Sequence, residues 1–254
     1  MSVVRTSVLF FLLLFGSGAV ANECVVVLHG LIRSASSMET MYEALLYEGY
    51  DAVNVAYPSR DHTIEELAPI AVRQGLDHCR MDSSLETIHF VTHSLGGILL
   101  RQYLSEYDIP ELGRVVMLAP PNQGSAAADK MSSVPGYDCL NGPIGRQLGK
   151  GEGSVPLALG PATFELGVIA GNKTIDPITS AVLPDPDDGR VSVEDTKLEG
   201  MQDHVVVAHS HAYIMKREEP IKLTIRFLRT GNFGRAGTLV GAESAGAGQR
   251  IDSE

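Results

Sequence analysis

The amino-acid sequence predicts an α/β fold, with a mostly parallel sheet covered by helices on both faces. Three observations lead there. Short apolar, β-rich runs recur along the chain: Cys24 to Leu28, Ala52 to Ala56, Ile88 to Val91, Arg114 to Leu118, Glu165 to Ala170 and Val205 to Ala208. Between most of them lie segments with the apolar spacing of amphipathic helices. The runs themselves are nearly continuous rather than alternating, as in strands buried on both faces.

Each element has its own local reason. The first run ends at His29-Gly30, and Ser36 with Glu39 then offers a capping box. Met38, Met41, Tyr42 and Leu45 follow at helical spacing until Gly49. The second run stops at Tyr57-Pro58. Thr63 and Glu66 form another capping box before a helix to about Leu76, in which Pro69 predicts a kink or a split. The third run leads through Thr92-His93-Ser94-Leu95-Gly96-Gly97 into a helix carrying Ile98, Leu99, Leu100, Tyr103 and Leu104. The fourth stops at Ala119-Pro120-Pro121. From Asn122 to Thr163 the pattern is poor, and glycines and prolines predict loops with one or two short helices. A final helix is expected from about Ala212 to Leu228.

The ends of the chain read differently. Met1 to Arg5 carries one positive charge, Val8 to Phe15 is apolar, and Ala19-Val20-Ala21 is a small-x-small ending. These are the parts of a secretory signal peptide, with cleavage expected after Ala21 and export to the periplasm or beyond. A retained membrane anchor is the alternative, although the run is short of the roughly 20 apolar residues a span needs. Residues 22–229 then form the α/β domain, and the glycine- and alanine-rich residues 230–254 read as a disordered tail.

Composition excludes several classes of function. The formal net charge is −11 and no basic patch is visible, so nucleic acid is not an expected partner. Cys24, Cys79 and Cys139 contain no C-x-x-C pair, which argues against a zinc site.

The chemistry gathers at Ser94. In a parallel α/β sheet, ligands bind at the carboxyl ends of the strands, and Ser94 stands on a strand-to-helix turn at such an end. The following helix directs its positive end at the turn. The Leu95 backbone N–H is therefore placed to donate to an oxyanion, and Leu31, beyond Gly30 at the end of the first run, supplies the second donor. Thr92 occupies the place of the first glycine in the usual G-x-S-x-G elbow, which is a departure from that pattern.

A serine nucleophile needs a base and an orienting acid. Of the eight histidines, His29 belongs to the oxyanion turn and His93 is expected to point away from Ser94. His62, His78 and His89 read as structural or solvated, and His204 precedes the last strand, at the wrong end of the sheet. His209 and His211 lie at the carboxyl end. His211, on the loop entering the last helix, is preferred as the base. The acid is sought in the run PDPDDGRVSV, among Asp185, Asp187 and Asp188. Asp188 is preferred and Asp187 is next.

With the order Ser94, Asp188, His211, the chain resembles the α/β-hydrolase superfamily, specifically small secreted bacterial lipases and esterases. The resemblance rests on VVVLHGL, FVTHSLGG, APPNQGS, DDGRVSV and SHAYIM, and covers roughly residues 24 to 228. It implies hydrolysis of carboxylic esters through an acyl-enzyme, with no cofactor and no metal. The implied partner is a small ester or lipid substrate, with transient contact with membrane lipid. Thioester hydrolysis, amide hydrolysis, acyl transfer and a catalytically silent binding protein remain alternatives. In such a fold Cys24 and Cys79 lie at the same end of neighbouring strands, which points to a Cys24–Cys79 disulfide with Cys139 free.

Overall fold

A computed structural model describes residues 22–234. The expected signal peptide, residues 1–21, and the tail beyond Gly234 lie outside the described residues. The fold class is as expected: a parallel six-stranded sheet with helices on both faces, in the arrangement of the α/β-hydrolase fold. The strands are β1 (Glu23–Leu28), β2 (Asp51–Val55), β3 (Thr87–His93), β4 (Leu112–Leu118), β5 (Leu166–Gly171) and β6 (Asp203–Val207). Their spatial order is β2-β1-β3-β4-β5-β6.

Strand alternation divides the core into two layers. Val26, Leu28, Ile88, Phe90, Val115 and Met117 face one side, under helices α2 (Ile64–Cys79) and α3 (Leu95–Glu106). Val25, Val27, Val91, Val116, Leu118 and Ile169 face the other, under α1 (Glu39–Tyr47) and α9 (Glu218–Thr230). Both faces are covered, so the inner strands have no solvent side on which to place polar residues. Gly75 lets α2 approach β1, since a Cβ there would lie 2.3 Å from Val26 Cγ1.

Several local expectations are corrected. The Thr63–Glu66 capping box forms, but Ser36 and Glu39 make none. Residues Ala35–Ser37 close a 3-10 turn instead, with the Ser37 hydroxyl donating to Ser34 O and Glu39 accepting from Asn54. Helix α2 does not split at Pro69 but runs unbroken from Ile64 to Cys79. The proline lies in the second turn, where it removes one bond to the carbonyl of exposed Glu65, a group that reaches water. The last helix begins at Glu218 rather than near Ala212, because Arg217 is extended and Pro220 suits the first turn. A 3-10 turn, Ile214–Lys216, precedes it. Packing also continues past residue 229: Phe233 is buried, with its ring centroid 4.9 Å from that of Phe227.

The interval after β4 is more helical than its composition suggests. It holds α4 (Ala126–Ser132), α5 (Tyr137–Asn141), α6 (Ile144–Gln147) and α7 (Val155–Ala158), four short helices where one or two were expected. Ser125 caps α4 by accepting the Ala128 N–H, and Gly136 and Gly142 bracket α5 with positive φ. Each helix is too short to register as a period. A further short helix, α8 (Pro177–Ser180), follows β5 and is capped by Asp176.

Cys24 and Cys79 are joined, with a Cα–Cα separation of 5.7 Å, while Cys139 is free and exposed. The bridge ties the start of β1 to the end of α2 across 55 residues. Replacing both bridged cysteines with serine should lower unfolding stability by about 2–4 kcal/mol through the freed loop. Cys139→Ser should leave it unchanged. Urea denaturation of the three proteins checks this, and equal midpoints would show that the bridge does not contribute.

Candidate active site

The turn between β3 and α3 holds Ser94 at φ 52° and ψ −119°. A non-glycine residue in that region costs about 1–3 kcal/mol and persists only where its surroundings enforce it. Here the Ser94 N–H donates to Leu118 O at 3.0 Å, so the neighbouring strand fixes the turn. Gly96 is required by contact: a Cβ there would stand 2.7 Å from Leu28 O and 2.9 Å from His29 O. Gly97 accommodates the departure at Thr92, whose Oγ1 would lie 3.2 Å from a Cβ at position 97. The small residue missing before the serine is thus supplied after it.

His211 Nε2 lies 3.0 Å from Ser94 Oγ, and its Nδ1 lies 2.8 Å from Asp188 Oδ2. The three side chains come from the turn after β3 and the segments that follow β5 and β6, and Ser94 and His211 are 117 residues apart in sequence. Asp188 is almost fully buried. Its Oδ1 accepts the N–H groups of Arg190 (2.9 Å) and Val191 (2.8 Å), leaving Oδ2 for the histidine. The backbone repeats the link, because the His211 N–H donates to Asp188 O at 3.0 Å. Gly171 makes room for this contact, since a Cβ there would lie 2.9 Å from Asp188 Cβ.

The other acids and histidines weighed in the sequence have partners of their own. Asp187 accepts from the Ser180 hydroxyl and from the Gly189 N–H, so it closes its own turn. His209 pairs with Glu219 at 3.3 Å. His204 sits within β6 and contacts Thr196. His62 and His78 stand near Glu66 and Asp51, and His89 is buried between Glu23 and the Arg114 N–H.

His93 packs against His211. Its ring centroid is 4.8 Å from that of His211, and its Nε2 is 3.0 Å from His211 O. A carbonyl only accepts, so His93 Nε2 carries the proton and Nδ1 is left bare. That Nδ1 is buried without a partner, against Gly30, where a Cβ would stand 2.9 Å away. Burial, and after it the proximity of His211 and Arg33, holds His93 well below the ordinary histidine range. His29 is likewise lowered by burial, and its ring stacks on Tyr57 at 3.9 Å between centroids. The Tyr57 hydroxyl donates to His29 O. Adjacency to Ser94 is the one signal in the sequence that singles out His93.

Helix α3 starts at Leu95, directly after Ser94, with no side-chain cap, and the Gly97 N–H donates to Ser94 O at 3.1 Å. Leu31 and Ser94 line the same cavity, of ≈430 Å³. Half of its lining residues come from the poorly patterned segment after β4, among them Ala128 and Met131 of α4, Leu140 of α5 and Leu148. Arg33 and Arg190 stand among these apolar side chains. Arg101 fixes the segment from beneath, donating from the buried face of α3 to Asn122 O and Oδ1 (3.2 and 3.1 Å), Pro156 O (3.0 Å) and Gly160 O (2.8 Å). Burial lowers its pKa to about 10, which leaves it charged at neutral pH.

Among the described residues, no group of three His, Cys, Asp or Glu side chains converges to hold a metal ion. No helix there is long and apolar enough to cross a membrane.

Comparison with known proteins supports the fold and leaves the chemistry to the site. No family model matches the chain, and no curated protein matches it in sequence. Solved structures do match. The mature form of the Bacillus licheniformis lipase BlEst2 is 20% identical, with TM-score 0.62 over 83% of this chain and 92% of that one. Of the propeptide form of that lipase, the chain spans about half (52%). The Pyrococcus furiosus esterase PF2001 is 19% identical, with TM-score 0.59 over 84% and 83%. The metagenomic carboxyl esterase MGS0156 is 18% identical, with TM-score 0.62 over 77% and 66%. The chain therefore shares the α/β-hydrolase fold of esterases and lipases over most of its length, at low identity.

The buried histidines predict the response to acid. His29, His89 and His93 all have pKa values lowered from 6.5 by burial, so the folded protein keeps them neutral where the unfolded chain takes up protons. Their contribution to stability is complete above the unfolded value of 6.5 and is lost as pH falls toward the lowered folded values. Urea midpoints should fall between pH 7.5 and pH 5, each neutral histidine adding up to about 1.4 kcal/mol per pH unit. His93→Gln, whose amide still donates to His211 O, should make the fall shallower. An unchanged slope would show that His93 is protonated in the fold.

Proposed function

We propose that this protein is an exported serine hydrolase of carboxylic esters. Ser94 attacks the ester carbonyl while His211 takes its proton, and Asp188 holds the resulting imidazolium. The tetrahedral oxyanion is held by the Leu31 and Leu95 N–H groups, which are stronger donors to a formed charge than to the ground-state carbonyl. His211 returns the proton to the leaving alcohol, and an acyl-enzyme on Ser94 remains. Water, deprotonated by His211, then attacks the acyl carbon and releases the acid. No metal or organic cofactor takes part.

The observation that carries this reading is the unbroken chain from Ser94 Oγ through His211 to buried Asp188, at a strained strand-to-helix turn. The apolar cavity over Ser94 supports an acyl chain as the group it accommodates. The names of the matched lipases and esterases agree with it.

Ser94→Ala and His211→Ala should each lower kcat on a butyrate ester by a factor on the order of 10^4 or more, with Asp188→Asn less damaging. His209→Ala should stay near wild type. Steady-state kinetics on folded proteins decides it. If His209→Ala abolishes turnover while His211→Ala does not, the base is misassigned.

Export is part of the proposal. The Cys24–Cys79 bridge supports it, since such bonds persist in oxidising compartments. Mass spectrometry of the exported protein should find Asn22 at the N-terminus. An intact Met1 in the membrane fraction would contradict cleavage.

A further inference from the structure

We propose that a second cavity beside the first is an anion subsite, and that the ester hydrolysed at Ser94 carries a phosphate or carboxylate on its alcohol portion. The inference rests on the esterase reading above and narrows its substrate class.

The second cavity has a volume of ≈270 Å³ and shares Ile32 and Arg33 with the cavity over Ser94. Ser59, Arg60 and Asp61 line the rest of it together with Tyr57 and Pro58. The two spaces differ in character. The larger is walled mainly by alanine, leucine and methionine side chains, with Arg190 among them paired to Asp176, and suits an acyl chain. The smaller is lined by two arginines and a serine and adjoins the first through Ile32 and Arg33, which leaves it for the alcohol portion.

Arg33 and Arg60 make no ion pair with a carboxylate among the described residues, whereas Arg80 and Arg190 do. In a chain of net charge −11, two arginines without an ion pair, one of which (Arg33) also lines the cavity that holds Ser94, outnumber the single carboxylate there and favour an anion. Guanidinium forks match the oxygen spacing of phosphate and carboxylate. Ser59 is buried, and its Oγ accepts the Ile32 N–H at 3.1 Å, so its own O–H is left to donate.

The loop that presents these groups is held in place. Gly142 packs so closely on it that a Cβ would stand 1.8 Å from Arg60 O. Arg60 Nη1 contacts Leu140 O at 3.4 Å, a weak bond that an anion replaces. Tyr57 anchors the near end on His29. Asp61 is the one carboxylate on the cavity, and it opposes an anion there.

The test compares dibutyrylglycerol, dibutyrylglycerol 3-phosphate and the butyrate ester of 3-hydroxypropionate, below their critical micelle concentrations. The expected result is a higher kcat/KM for the anionic esters than for the neutral one. The better of the two anionic esters identifies phosphate or carboxylate as the group recognised. Arg60→Gln should shrink the anionic-to-neutral ratio about tenfold, the worth of one charge-assisted hydrogen bond. Asp61→Asn should enlarge it, and raising the salt concentration should reduce it. Both positions are exposed, and unchanged melting temperatures establish that the variants fold. Turnover of the neutral ester that depends on Ser94, with no preference for anions and no effect of Arg60→Gln on the ratio, would overturn this inference alone. Failure to hydrolyse any of the three would overturn the esterase reading with it.

Discussion

The left-handed backbone of Ser94 is the constraint on which the rest of the structure depends. It places one hydroxyl at the join of β3 and α3 and begins the helix in a single residue, so that the oxygen adjoins the helix N-terminus. The strain is held by neighbours in space, some adjacent in sequence and some distant. Leu118 accepts the serine N–H, Gly96 lets the helix sit against the carbonyls of Leu28 and His29, and Gly97 leaves room for Thr92. A side chain at Gly96 would meet backbone rather than a flexible neighbour, so the turn has no way to relax.

Around that point the structure fixes each group through its backbone as well as its side chain. Asp188 is held by two N–H groups from its own turn, and its carbonyl accepts the His211 N–H. His93 binds the His211 carbonyl from the other side. The imidazole that faces Ser94 is thus positioned by the residue before the serine and by the acid it contacts. Arg101 does the same for the cavity, replacing the water that four carbonyl and amide contacts would otherwise need. Its cost in burial is visible in its lowered pKa.

The fold was legible because its strands are buried on both faces and so appear as nearly continuous apolar runs, such as Val25-Val26-Val27-Leu28. The candidate site was legible where chemistry and chain position coincide, as for Ser94 on its turn and His211 after the last strand. Asp188 was distinguishable from Asp187 only weakly, since what separates them is which carboxyl group faces across to another loop. The helices after β4 were not legible: α5, α6 and α7 are four or five residues each, shorter than the period that would reveal them. Arg101 and His93 were missed for a related reason. Their partners are, Asn122 Oδ1 apart, backbone carbonyls, which every residue possesses and no sequence pattern marks.

The central claim is that Ser94 is a nucleophile activated by its setting, rather than a hydroxyl on a glycine-rich turn. Phosphonylation tests this without reference to any substrate. The intact protein would be treated with a fluorophosphonate, digested and mapped by mass spectrometry. The account predicts one adduct per chain, on Ser94, absent from Ser94→Ala and strongly slowed in His211→Ala. No adduct on the folded protein, or an adduct on a different residue, would contradict it.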